Sequence, residues 1–367
     1  MERHALAILE QNDLWNWLDT KQTQPSGKQG GKFQVATPKL LYFLIVESQG
    51  FGGEVLDHFW KQLGTCDEKL KENSHRRTSC RRKSPSTCCF GDRIPKNVNF
   101  GPVLDMAAEY FTHLGVAFMN PGGKKSGTST ASSVSEVVNE ETDKLLQQVN
   151  EEGDFGKRKE ELLKALSFRR DGDFCLLTGV EFVHSKKKPG AYPALAHIIP
   201  NSIHGKPDTL KCITMFAGPA ARDEVMHHLN NIVNVMNMQH DAHVSYDNLD
   251  WGIEAKEEGG EVKYFFRTVP TNPGVHSLFF INLRDGEEIQ FGKGAEGKKL
   301  GNGPLPKLCN LQLAVARVLK MSGAADIILE WKDHADDDGC DRLFIASEEF
   351  CDMLDAKRFL SGRAVVA

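Results

Sequence analysis

The first part of the chain has the spacing of amphipathic helices. After a glycine-rich break at 50–53, four apolar residues recur at intervals that place them on one helix face: Val55, Leu56, Phe59 and Leu63. A second helix is predicted near 102–115, where apolar residues again recur every three or four positions: Leu104, Ala107, Ala108, Phe111 and Leu114. Residues 1–120 are therefore predicted to form a helical N-terminal region, whose role the pattern does not indicate.

The helical pattern is interrupted inside this region and again after it. Residues 67–98 lack apolar periodicity, and 67–96 hold nine Lys and Arg against four Asp and Glu. This is the composition of a disordered basic stretch, with translated intron sequence as the alternative. Residues 121–134, which contain PGGKKSGTSTASS, are predicted to form a flexible linker.

Beyond the linker, helical patterns enclose short apolar runs. Polar helices are predicted at about 135–150 and 157–168. After Asp171, apolar runs broken by turn residues indicate strands: FCLL, ALAHII, KYFFRTV and SLFFINL. A last helix is predicted from apolar residues at three- and four-residue spacing, with Gly323 as its C-terminal cap: Leu308, Leu311, Val315, Val318 and Leu319. The chain is thus predicted to be α+β and mainly helical, with one domain at 135–325.

The charge is small overall but unevenly distributed. The formal net charge is −5, which argues against nucleic-acid binding through overall charge. Residues 326–355 hold eleven acidic residues against two basic ones. Residues 326–367 are therefore predicted to be an acidic C-terminal tail, and such a tail commonly serves only to keep a protein in solution.

Cysteine usage and hydropathy indicate an intracellular protein. The nine cysteines include no CxxC pair, and the adjacent Cys88 and Cys89 do not bridge each other without strain. The longest apolar run, LLYFLIV at 40–46, is far shorter than the ~20 residues that a bilayer requires. The N-terminus lacks the order of a signal peptide. We expect a nuclear or cytoplasmic protein that is not secreted and has no membrane partner.

Three fragments carry candidate chemistry. The fragment RRDGDFCLLTG at 169–179 predicts a turn followed by a strand through Cys175, and ALAHIIPNS at 194–202 predicts a strand that ends at Pro200. These two strands are expected to form an antiparallel pair. The fragment NVMNMQHDAHVSYD at 234–247 predicts an asparagine-rich loop and then a helix with His243 and Asp247 on one face.

A histidine, an asparagine and a second histidine on a strand, strand and helix suit phosphodiester hydrolysis. A histidine near its usual pKa can activate water at neutral pH. An asparagine or a backbone carbonyl can hold that histidine in one orientation. A histidine and a carboxylate on one helix face can bind a divalent cation, which then acts as a Lewis acid.

Residues 160–325 resemble HNH nuclease proteins of the fungal type, through RDG…C…TG, AHIIP and the Asn-x8-His-x2-Tyr-Asp pattern. The resemblance implies an embedded ββα-metal (HNH, or His-Me finger) module and a metal-dependent endonuclease. It makes His197 the general base, Asn234 its orienting residue, His243 a metal ligand or second active-site histidine, and Asp247 a further ligand. It also implies one divalent cation, Mg²⁺ first with Mn²⁺ or Zn²⁺ as alternatives, and a nucleic-acid partner, DNA first.

Two positions depart from the family pattern. Ala196 precedes the base, where many relatives have an Asp or His that binds the metal. Of the paired CxxC zinc knuckles only Cys175 remains, with Thr178 at the second position, so no structural zinc is expected. These departures favour an alternative function, in which a catalytically degenerate HNH fold is a nucleic-acid or protein interaction module.

Neighbouring residues compete for the same roles. His240 is an alternative to His243, and His227 and His228 are further possible ligands. Three other asparagines are alternatives to Asn234 and are also good turn or cap residues: Asn230, Asn231 and Asn237. Residues 203–229 are interpreted as an insertion with a helix near 218–229. The basic residues Lys186, Lys187 and Lys188 are predicted to form a hairpin tip that can meet phosphates.

Overall fold

The structure is a computed structural model of the chain, and elements are numbered over the residues that it describes: 2–10, 28–66, 100–119, 141–150, 157–183, 191–270, 278 and 280–329. The helices are α1 (Glu2–Leu9), α2 (Lys28–Gln49), α3 (Val55–Cys66), α4 (Gly101–Tyr110), α5 (Thr142–Asn150), α6 (Lys157–Asp171), α7 (Pro207–His228), α8 (His240–Asp247) and α9 (Pro306–Ser322). The strands are β1 (Ala194–His197), β2 (Val235–Met238), β3 (Trp251–Glu258) and β4 (Glu261–Thr268).

Four predicted segments lie outside the described residues. They are the basic stretch 67–98, the linker 121–134, the tip Lys186–Lys188 and the tail beyond residue 329. Over the described part, the chain is mainly helical with small antiparallel sheets, which confirms the α+β prediction at that level. None of the described helices is long and apolar enough to cross a membrane.

The N-terminal helices bury the faces that the sequence predicts. In α3, Val55, Phe59 and Leu63 are buried, as the helical spacing requires. The helix predicted near 102–115 is also confirmed, but it is longer. After α4 it continues as a π-helical turn at Phe111–Val116 and ends with Ala117–Met119. Phe111 and Leu114, on the predicted apolar face, are buried in that turn.

Helix α9 lies at the centre of the fold. It packs against α2 on one side and against β3 on the other, so most of its side chains are buried. Gly323 ends the helix as predicted, because its φ of 79° is left-handed and its N–H donates to the carbonyl of Lys320. One hydrophobic cluster joins the N-terminal helices to the C-terminal half, with Leu44, Phe59, Ile198, Trp251 and Val315 among its buried members.

The strand predictions need three corrections. The 173–178 segment is not a strand paired with β1, because the left-handed glycines Gly172 and Gly179 (φ 91° and 69°) fold it into a tight turn. The partner of β1 is β2, in antiparallel register with His197 opposite Val235. SLFFINL is also not a strand over its described residues, 278 and 280–283, whereas KYFFRTV lies in β4 as predicted.

Two helices extend beyond their predicted bounds. Helix α6 runs to Asp171, so Arg170 and Asp171 are helical and the predicted turn begins only at Gly172. The helix predicted near 218–229 is the second half of α7, which starts at Pro207 and is kinked at Gly218 (φ 81°), before Pro219. Helix α7 thus occupies most of the connection between β1 and β2.

Candidate active site

His197 is the last residue of β1 and marks the point where the chain leaves the sheet. Ala196, Ile198 and Ile199 beside it are fully buried, whereas His197 keeps a partly exposed edge. Alternation along the strand sends Ala196 into the core and leaves the imidazole at the sheet end. The predicted general base therefore lies at the rim of the fold, on a rigid strand.

Asn234 fixes the backbone that follows His197. Its side chain is fully buried: Oδ1 accepts from the N–H of Ile199 (2.8 Å), and Nδ2 donates to the carbonyls of Ile199 and Leu229 (2.9 Å each). The predicted partner of His197 is therefore close by, but its hydrogen bonds go to the main chain and not to the imidazole ring. It can orient His197 only through the backbone.

Tyr246 of α8 completes the support of this turn. Its hydroxyl donates to the carbonyl of Ile198 (3.2 Å), while the N–H of Ile198 donates to the carbonyl of Asn234 (2.7 Å). Burial raises the pKa of Tyr246 well above its usual value, so the hydroxyl keeps its proton as donor. All four backbone groups of Ile198 and Ile199 therefore have protein partners, directly after the candidate base.

The imidazole of His197 is held in its neutral form. Burial lowers its pKa to about 4; the negative charge of Glu160 opposes this shift, and the charge of His243 adds to it. Its Nε2 atom is buried and has no hydrogen-bond partner among the described residues. A buried, unpartnered imidazole nitrogen is costly for stability and is typical of a functional position. The ring is thus unprotonated at pH 7, as a general base must be before it takes a proton.

Helix α8 presents the second histidine. Gln239 caps its N-terminus, because its side-chain oxygen accepts from the N–H groups of Asp241 (2.9 Å) and Ala242 (3.2 Å). His243 Nδ1 lies 3.7 Å from Asp247 Oδ2, one helical turn on, which confirms the predicted shared face. Their side chains are 25% and 32% exposed, so both are open to an ion from solvent.

Few protein side chains are placed to bind a divalent cation at the candidate site. His243 and Asp247 offer one imidazole and one carboxylate, and Ala196 offers nothing. Across the described residues, no three His, Cys, Asp or Glu side chains gather closely enough to hold a metal together. Two protein donors, with water and phosphate oxygens in the other positions, fit the way Mg²⁺ is usually bound, and the imidazole suits Mn²⁺ or Zn²⁺ better.

Two of the three competing asparagines have other partners. Asn231 caps a short 3₁₀ turn by accepting from the N–H of Val233 (3.3 Å), and Asn237 donates from β2 to the carbonyl of Lys164 (3.0 Å). Asn230 Nδ2 is buried without a hydrogen-bond partner in the described structure. Among these asparagines, Asn234 is the one that bonds to the turn after His197.

The competing histidines differ from His243 in their surroundings. His240 is the exposed first residue of α8. On α7, a ring nitrogen of His227 lies 2.7 Å from the carbonyl of Asp223, and His228 Nε2 lies 3.3 Å from Glu224. His227 and His228 are therefore engaged within their own helix, one turn back.

Cys175 is a packing residue in this structure. It is fully buried, and its Sγ accepts from the N–H of Gln239 (3.3 Å), the N-cap of α8. Its carbonyl accepts from Gly179 (2.8 Å) and its N–H donates to Val180 (2.9 Å), which closes the 175–180 turn. Hydrogen bonds and burial thus hold the turn that carries Cys175 and Thr178.

Two charged residues of α6 belong to this region, and the sequence analysis assigned neither of them a role, although Arg170 is the first residue of the RDG motif. Glu160 acts on the pKa of His197 and pairs with Lys164 (2.7 Å). Arg170 lies fully buried beside β2. In the sequence, Arg170 stands at the end of the α6 pattern. An arginine there commonly faces solvent, so its burial was not predicted.

Comparison of the chain with models of known protein families, with curated proteins and with solved structures finds no match. The geometry of the β1–β2–α8 unit is therefore the basis on which a function is argued.

Proposed function

We propose that β1, β2 and α8 form an HNH-type ββα-metal module that hydrolyses nucleic-acid phosphodiester bonds with a divalent cation. One observation carries the proposal: a strand-end histidine, followed by a backbone turn that Asn234 and Tyr246 hold, lies against α8, the helix that carries His243 and Asp247. His197 Nε2 has no hydrogen-bond partner in the described structure, which supports the proposal because buried polar atoms usually have one.

Each residue of the site has a distinct role in the proposed reaction. His197 takes the proton from the attacking water, and an incoming phosphate anion raises the pKa of His197 toward the range where a base is efficient. Asn234 and Tyr246 hold the base in place. His243 and Asp247 would hold the cation, which supplies Lewis-acid stabilisation of the phosphate oxygens when bound.

DNA is the first substrate to test, in keeping with a nuclear or cytoplasmic nuclease. The purified full chain is expected to nick supercoiled plasmid with Mg²⁺ or Mn²⁺ and to stop when a chelator is added. His197→Ala is expected to lower the rate by about 10²-fold or more, because general-base catalysis contributes on that order. The matched control is His204→Ala, an exposed histidine outside the proposed machinery. Equal cleavage by the wild type and His197→Ala would refute the assignment of the base.

Ala196 favours a second function, in which the module binds nucleic acid or protein without turnover. Its methyl group is buried and cannot bind metal, so the cation would depend on α8 alone. Calorimetric titration with Mn²⁺ separates the two functions. The nuclease is expected to bind Mn²⁺ and to lose that binding in His243→Ala, whereas an interaction module binds no ion there.

A further inference from the structure

We infer that Arg170 is a positioning residue that sets the orientation of His197 through the Asn234 segment; this rests on the proposed function. Arg170 is fully buried at the end of α6. Its Nη1 donates to the carbonyl of Ile232 (2.6 Å) and its Nη2 to that of Val235 (2.7 Å). One guanidinium thus binds the main chain on both sides of Asn234.

The carbonyls of the whole 232–235 segment are satisfied in this way. Between the two that Arg170 binds, the carbonyl of Val233 accepts from the N–H of Leu305 (2.8 Å), and that of Asn234 accepts from Ile198 (2.7 Å). Arg170 supplies the donors at both ends of the segment. A shift of the segment therefore moves the Asn234 side chain and, with it, the backbone of Ile199 and the base.

Asp171 holds the guanidinium in this orientation. Its carboxylate accepts from Nε (2.9 and 3.0 Å) and from Nη2 (2.7 Å), which fixes the plane of the fork. Its Oδ1 also accepts from the N–H of Gly292 (3.2 Å), and the ring of Phe291 lies 5.7 Å from the guanidinium carbon. The pair is thus neutralised and almost completely shielded from solvent.

Arginine is the one side chain whose geometry serves this position. A guanidinium offers five donors in a rigid plane, so it can bind Asp171 and two separate carbonyls at once. A lysine keeps the charge but places its three donors on one nitrogen, which cannot reach both ends of the segment in the same way. Arg170→Lys therefore removes the bridge while the charge partner of Asp171 remains.

The test compares Arg170→Lys with the wild type by amide hydrogen exchange and by cleavage kinetics. Exchange of the Ile198 and Ile199 amides is expected to accelerate, while amides of the β3–β4 ladder stay protected. In the cleavage assay kcat is expected to fall by about 10²-fold with KM nearly unchanged, because a displaced base slows chemistry and not binding. The exchange result tests the positioning role even if the protein proves not to be a nuclease.

Two controls separate positioning from general destabilisation. Arg267→Lys alters another arginine that binds two acceptors, Glu254 (2.7 Å) and Asp285 (3.2 Å), on the β3–β4 side. Val315→Ala removes apolar volume from the core at α9, a different element from the segment. Both are expected to leave exchange at Ile198 and Ile199 and kcat close to wild type.

If Arg170→Lys does not fold, the double variant R170M/D171N replaces the buried pair with neutral groups of similar size, a change that proteins often tolerate. It is expected to give the same local exchange and the same loss of kcat. The inference is overturned if the folded variant keeps wild-type exchange at Ile198 and Ile199, or if its losses match those of Val315→Ala.

Discussion

The two halves of the candidate site differ in how firmly the protein holds them. On the base side, Asn234 and Tyr246 bind the backbone of Ile198 and Ile199 in the buried interior. On the cation side, His243 and Asp247 lie on an exposed face of α8, 3.7 Å from each other. The base side resists displacement, whereas the cation side is open to exchange with solvent.

The buried polar groups of the site support the base side and not the cation side. A buried asparagine with three side-chain hydrogen bonds specifies one backbone arrangement, because each unmade bond would be costly. A partly exposed side-chain pair 3.7 Å apart contributes little and constrains little. The protein thus holds the proposed proton acceptor firmly, whereas the proposed cation site depends on substrate and water for its other ligands. Changes on the two sides are expected to have different consequences.

The largest effect on stability is expected from Asn234→Ala. It leaves the N–H and carbonyl of Ile199 and the carbonyl of Leu229 buried without these partners. At ~1–3 kcal/mol for each, the free energy of unfolding falls by about 4 kcal/mol. Urea unfolding measures the loss. Asn231→Ala, which removes one cap bond, is the matched control and costs about 1 kcal/mol. Equal losses would mean that the base side is not specially supported.

The next largest effect is a pH dependence carried by His197. The folded pKa is about 4, against about 6.5 unfolded, so the unfolded chain binds the proton more tightly. Stability from this group is complete above pH 6.5 and is lost as the pH falls toward 4, by about 3 kcal/mol in all. Unfolding of the wild type and His197→Gln at pH 7, 5.5 and 4.5 isolates it. Parallel pH profiles for the two proteins would contradict the buried neutral imidazole.

A smaller effect is expected from Tyr246→Phe, which removes one hydrogen bond to Ile198 and leaves the ring in place. Unfolding is expected to lose about 1 kcal/mol, and kcat to fall by less than about tenfold. Tyr264→Phe removes a similar bond, to the carbonyl of Pro304, and serves as control. It should lower stability comparably and leave kcat unchanged. A slower Tyr264→Phe enzyme would show that the rate follows stability alone.

The smallest effect on stability is expected on the cation side. His243→Gln removes one member of a partly exposed pair, so the free energy of unfolding is expected to change by less than about 1 kcal/mol. If the proposed function is right, cleavage and Mn²⁺ binding are nevertheless lost, because His243 is one of the two proposed ligands. Thermal unfolding and calorimetry on the same sample measure both. A large loss of stability would place His243 among the structural residues instead.

Periodicity predicted the elements whose local pattern agrees with their tertiary setting. Helix α9 has an apolar repeat and a terminal Gly323, and α8 has His243 and Asp247 one turn apart, so both follow from sequence. Strand β2 could not be predicted in this way, because its sequence VMNM is buried throughout and shows no alternation of apolar and polar residues. The apolar 173–178 segment was assigned to a strand because a turn set by two left-handed glycines has no signature in hydropathy.

At the candidate site, residue types were more predictable than their partners. The spacing of His197 and Asn234 singled out both residues, but it could not show that Asn234 binds backbone groups. Tyr246 is part of the predicted motif, but the sequence indicates no role for it. Its hydroxyl binds the carbonyl of Ile198, 48 positions away, and sequence spacing does not reveal that contact. Arg170 was placed in a turn, because nothing in a helix end of RRDG indicates a guanidinium turned inward onto a distant strand.

The central position of α9 restricts how the protein can be truncated for experiments. Its apolar residues face α2 on one side and β3 on the other, and the shared core reaches from Ala5 to Ile328. A fragment that begins at residue 135 would expose the α2-facing side of α9 as a continuous apolar surface. Such a fragment is expected to self-associate and precipitate during purification, so biochemical assays should use the chain of 367 residues.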